Sequence, residues 1–129
     1  GRVDARFEYV FSSGLRVGGM TLLMLAMAYG HEGLAEALLQ RGADVSLQDG
    51  AGGTALSLAA VNGFEKVVEL ALRHGAEINR RSEFGNTALI NAAERGHKQV
   101  VDSLIRHGAA IDLQTIDGDT ALIRAAFFG

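Results

Sequence analysis

Apolar and polar residues recur in one order, again and again, along the chain. From Glu65 to His74 the apolar residues Val67, Val68, Ala71 and Leu72 fall at i, i+1, i+4 and i+5, the stripe of a helix with one buried face. Acids open this segment and Arg73-His74 close it, as the helix dipole favours. Gly75 follows as a left-handed C-cap. Lys98 to His107, then Gly108, repeat the arrangement. A shorter run precedes each long helix. Ala55–Asn62 and Ala88–Arg95 give barely two turns, opened by Thr54 or Thr87 as N-cap and broken by Gly63 or Gly96. An extended segment with a glycine-bearing turn leads on to the next threonine.

The spacing is regular. Thr21, Thr54, Thr87 and Thr120 stand 33 residues apart, and so do Leu23, Leu56, Leu89 and Leu122. Ala26, Ala59, Ala92 and Ala125 follow, then Gly30, Gly63, Gly96 and Gly129, with a further series at Gly42, Gly75 and Gly108. Such a period means stacked helical units rather than one closed core. The alanines let short helices approach closely, the leucines fill the space between layers, and no unit buries its apolar face alone. Full units are expected at 16–48, 49–81 and 82–114, with a partial one at 115–129. Residues 1–15 stand apart. Val3, Phe7, Val10 and Phe11 fall at i, i+4, i+7 and i+8, which predicts the outer helix of a degenerate N-terminal capping unit, ended by Gly14 and followed by a loop shortened by five residues. An irregular arm packed on the first full unit is the alternative.

These units resemble ankyrin repeats, whose signature is G-x-T-P-L-H-x-A-A-x-x-G-H followed by L-L-x-x-G-A-D-V-N. One copy here reads Gly52-Gly-Thr-Ala-Leu-Ser-Leu-Ala-Ala-Val-Asn-Gly63, then Leu72-Arg-His-Gly-Ala-Glu-Ile-Asn79. The next reads Gly85-Asn-Thr-Ala-Leu-Ile-Asn-Ala-Ala-Glu-Arg-Gly-His97, then Leu104-Ile-Arg-His-Gly-Ala-Ala-Ile-Asp112. The resemblance covers residues 16–129 and implies an all-α solenoid of stacked helix-turn-helix units with β-turn fingers. It departs from the signature at the proline, which is Leu22, Ala55, Ala88 and Ala121 here, and at the histidine, which is Met24, Ser57, Ile90 and Ile123. The family's hydrogen bonds from that histidine are therefore not expected.

Composition narrows the chemistry. The chain has no cysteine, which removes disulfides, cysteine-ligated zinc, iron–sulfur clusters and a thiol nucleophile. Proline is absent where roughly six would be usual at ~5%; the signature's proline positions account for part of the deficit. A net charge of −3 argues against nonspecific nucleic-acid binding. No apolar run reaches the ~18–20 residues that span a bilayer, and the first residues lack the basic start of a secretory signal. Cytoplasm or nucleus is the expected location. The opening glycine and the stop at Gly129 suggest a piece of a longer protein.

Motifs of catalysis fade on inspection. Gly14-Leu-Arg-Val-Gly-Gly19-Met20-Thr21 lacks the lysine of a phosphate loop. Gly50-Ala-Gly52-Gly-Thr-Ala55 lacks the βαβ setting of a dinucleotide site. His31, His74, His97 and His107 are set apart by the repeat, whereas metal ligands converge to ~2 Å from one ion. The carboxylates show no pairing for acid–base work, and no serine sits in a nucleophile elbow. No metal, cofactor or catalysis is expected.

The resemblance implies a protein-binding groove lined by turn tips and inner helices, the general mode of such stacks. Those positions vary between units while the scaffold does not. Aromatic residues and arginine dominate binding hot spots, so Tyr29, Phe84 and Arg95 are the first candidates and Ile116 the next. Asn62, Glu83, Asn86, Asp117, Asp119 and Arg124 complete the expected partner-binding set, and Phe127-Phe128 is a weaker candidate at the last inner helix. The partner is another protein, with no nucleic acid and no membrane insertion. A regulatory or targeting domain of a larger enzyme, channel or effector is the alternative role. End-to-end self-association through the uncapped C-terminal repeat stays open.

Overall fold

The computed structural model describes residues 3–128, the side chains of Phe127 and Phe128 excepted. A short antiparallel pair comes first, β1 (Phe7–Val10) and β2 (Arg16–Met20). Three helix pairs follow: α1 (Leu22–Ala28) with α2 (Glu32–Gln40), α3 (Ala55–Val61) with α4 (Glu65–Arg73), and α5 (Ala88–Glu94) with α6 (Lys98–Arg106). The last element is α7 (Ala121–Phe128). Each odd-numbered inner helix packs on the next, and α2, α4 and α6 form an outer row.

The threonines do what their position predicts. Thr21, Thr54 and Thr87 hold extended backbone, and each hydroxyl accepts from the amide three residues on, at 3.2 Å. Ser57, in the signature's histidine slot, turns back and accepts from the Thr54 amide at 2.8 Å, closing a reciprocal cap. Leu23, Leu56 and Leu89 are buried, as are Ala26, Ala59 and Ala92, so the core is a continuous seam through the stack. The outer helices end one residue before His74 and His107, which serve as C-caps.

Residues 3–15 overturn the predicted helix. The chain from Phe7 to Met20 is a hairpin, with Tyr9 opposite Val17 and Val10 opposite Arg16. Gly14 lies in its turn, where the Phe11 amide donates to the Leu15 carbonyl. Two side chains before the hairpin explain the outcome. Asp4 Oδ1 accepts from the Asp44 amide at 3.0 Å, as Asn79 Oδ1 accepts from Ala110 at 2.8 Å. Arg6 donates to the carbonyls of Gly19 and Gln48, and Gln48 donates to those of Gly52 and Arg81, each one period later. Val3-Asp4-Ala5-Arg6 thus occupies the place of Val45-Ser46-Leu47-Gln48 and Ile78-Asn79-Arg80-Arg81. Residues 7–15 are an insertion that lengthens the first finger, and no loop is shortened. Gly129 of the glycine series lies outside the described residues.

Candidate functional site

Each finger closes on itself and then on its neighbour. The amides of Asp49, Ser82 and Thr115 donate to the carbonyls of Gly53, Asn86 and Asp119 at 2.8–2.9 Å. A short polar side chain braces each of these three turns. Asp49 Oδ1 accepts from Ala51 and Gly53, Ser82 Oγ from Asn86, and Thr115 Oγ1 from Asp117 and Asp119. Adjacent tips are then joined by one backbone bond each: Gly50 to the Gly18 carbonyl at 2.8 Å, Glu83 to Ala51 at 3.2 Å, and Ile116 to Phe84 at 3.0 Å. Donors and acceptors recur at matching positions of each unit, so the fingers form one ordered row.

The last of those bonds sets Phe84 beside Ile116. The two residues are 56% and 68% exposed, so two large apolar residues lie on adjacent tips. Glu83 and Asp117 flank them and are exposed. Arg95 is the exposed C-cap of α5. Arg124, on α7, is nearly buried and lies 3.3 Å from Glu94 and 3.1 Å from Asp119, tying finger to inner helices. Asn86 Nδ2 reaches Asn91 Oδ1 at 3.3 Å, another tie of that kind. Asn62 Nδ2 donates to its own helix at the Leu58 carbonyl.

A scan against family models matches the ankyrin-repeat model, described as ankyrin repeats in three copies, over residues 7–82 and 56–129. The chain belongs to the ankyrin-repeat family. Ankyrin repeats are generally protein–protein interaction modules and typically non-catalytic. No curated protein matches the chain.

In this ankyrin stack Tyr29 lies away from the Phe84 group, at the N-terminal end. Its hydroxyl is 3.2 Å from that of Tyr9. Phe11 stacks on its ring at 6.2 Å and Tyr9 meets Phe11 edge-on at 4.9 Å. The hydrogen bond with Tyr9 raises the Tyr29 pKa above the ordinary tyrosine value, helped by desolvation and by the Tyr9 charge. Tyr9, Phe11 and the exposed Phe7 and Val10 are groove candidates that helical spacing conceals. Phe7, Tyr9 and Phe11 alternate at i, i+2 and i+4, and that period of two is the signal for a finger. The side chains of Phe127 and Phe128 lie outside the described residues. Among the described residues no group of three His, Asp or Glu side chains is placed to hold a metal ion, and no helix is long and apolar enough to cross a membrane.

Proposed function

We propose that this ankyrin domain binds a protein partner along its row of fingers and inner-helix ends, with Phe84, Ile116 and Arg95 as anchors. The observation that carries this reading is the pair of exposed apolar side chains on fingertips locked by the Ile116–Phe84 backbone bond. A rigidly held apolar pair costs little ordering entropy on binding. Glu83 and Asp117 give the site an acidic rim. Asp119, Asn86 and Arg124 hold its shape rather than reach a partner. Tyr29, with Tyr9 and Phe11, offers a second contact farther along, and Asn62 lies between. End-to-end association through α7 belongs to the same proposal, since Leu122 is 78% exposed where Leu56 and Leu89 are buried.

A binder selected from a displayed random-peptide library provides the test. Phe84→Ala, Ile116→Ala or Arg95→Ala should weaken it by about 2 kcal/mol or more in titration calorimetry. Lys66→Ala and Lys98→Ala, on the outer helices, should leave it unchanged. The reverse ranking places the site on the convex face and overturns the assignment.

A further inference from the structure

The hairpin of the first finger presents an open strand edge. Gly50 donates to the Gly18 carbonyl, which ties β2 to the second unit and leaves β1 outermost. The Phe11 amide donates inward to the Leu15 carbonyl, and Tyr9 lies opposite Val17. Inward and outward groups alternate along an antiparallel strand, so Glu8 and Val10 turn their N–H and C=O groups away from β2. Among the described residues no loop or side chain takes these groups up. The edge is lightly guarded. It has no lysine and no proline, and the extra residue of the bulge sits in β2, where Val17 to Met20 takes three steps against two from Tyr9 to Phe7. The one charge on β1, Glu8, is held by Arg16 at 3.1 Å. Beside the same edge lies an open cleft of about 390 Å³ between Tyr9, Leu22, Leu25, Tyr29 and Leu34. Leu22 and Leu34 are 42% and 44% exposed there.

We propose that β1 takes up an extended segment of a partner protein as one further strand, with every second side chain of that segment apolar and set into the cleft. The occupant follows from what the edge offers. Paired donors and acceptors that recur every ~7 Å along a line match the backbone of an extended polypeptide. Tyr9 and Phe11 share the face of β1 that meets Tyr29. A strand lying ~4.8 Å beyond β1 turns alternate side chains to that same face, toward Leu22 and Leu34. The others point to water, on the face of Glu8, Val10 and Arg16. Main-chain bonds then give affinity, and the cleft selects the sequence. This contact is separate from Phe84 and Ile116, which lie on the third and fourth fingers.

Peptides selected from a displayed random library serve as the probe. The bait carries Phe84→Ala and Ile116→Ala, so the fingertip pair plays no part in the result. The expected binders alternate apolar and polar residues. Once bound, they should slow amide exchange at Glu8 and Val10 by about tenfold or more and leave Tyr9, already turned to β2, near its free rate. Val10→Pro removes one outward N–H and no ladder bond, a change that edge strands accept. It should weaken binding by about tenfold or more while the urea midpoint holds. Leu34→Arg should weaken it as well, by putting a charge into the cleft. On the unaltered bait, N-methylation of every second peptide residue should abolish binding in the phase that faces β1 and spare it in the other. Binding that survives N-methylation in both phases overturns the proposal, as does a library that yields no binder. Slow exchange at Glu8 and Val10 in a dimer of the chain alone also overturns it, because a second copy then holds the edge.

Discussion

A methyl group at Gly63 has nowhere to go. The backbone there is left-handed, with φ at +78°, and an added Cβ would lie 2.6 Å from Nδ1 of His97. The same imidazole donates through Nε2 to the Val61 carbonyl at 3.0 Å. This bond crosses between units, from a slot seven residues C-terminal of the signature's first histidine position, Ile90. Gly63→Ala should therefore destabilise the domain by about 1–3 kcal/mol, read from the urea midpoint. Tyr29 gives a second residue-level expectation. Its raised pKa means the folded state favours the neutral phenol. That contribution to stability is complete below the unfolded tyrosine value of about 10 and is lost as pH climbs through the raised one. Tyr9→Phe should bring the Tyr29 transition down toward the ordinary value in an ultraviolet absorbance titration; an unmoved transition would rule out the hydroxyl pair as its cause. The threonine caps were legible in the sequence because a cap is a contact across three residues. The His97–Val61 bond was not, because its partner lies 36 residues away and only the stacked units bring it near.

At the scale of elements, the helices were legible and the first finger was not. Val67, Val68, Ala71 and Leu72 fit a helical stripe and little else. Val3, Phe7, Val10 and Phe11 fit one too, but Phe7, Tyr9 and Phe11 fit a strand equally well. Local pattern could not choose between them. Asp4 and Arg6 chose, by finding carbonyls and an amide on the first unit. Deleting residues 7–15 should accordingly restore a regular connection, Arg6 to Arg16, and leave the helices in place. Far-ultraviolet circular dichroism should keep its helical signal, and the urea midpoint should fall by about 1 kcal/mol or less, the scale of the lost aromatic contacts with Tyr29. Loss of the helical signal would show instead that the hairpin is part of the fold's foundation.

Across the whole molecule stability passes from neighbour to neighbour. The 33-residue order declares this directly, since one set of seam residues serves every layer. The proposed binding surface does not declare itself in that way. Its residues differ from unit to unit, and which of them stand together depends on the finger register. Phe84 and Ile116 lie on adjacent tips because Ile116 bonds to the Phe84 carbonyl, whereas Asp119 and Arg124 are turned to holding the scaffold. The terminal unit should show the cost of a missing neighbour. Amides of α7 should exchange faster than those of α3, which is covered on both sides. Equal protection in a monomer would mean that α7 is as well supported as an internal helix.

The row of tip-to-tip bonds has a metric consequence. Each unit advances one strand spacing inside its turn and another between turns. At about 4.8 Å apiece these make a stride close to the ~8–10 Å between packed helix axes. The two edges of the molecule are therefore commensurate, like rulers ruled to one scale. Units can be gained or lost without either edge running ahead of the other, and extra residues can be spliced into a tip, as at 7–15, without resetting the scale. A bulkier side chain in place of Ala59 would stretch only the helical ruler. The mismatch would surface first at the far edge, as loosened Glu83 and Ile116 amides, while the helices themselves stayed intact.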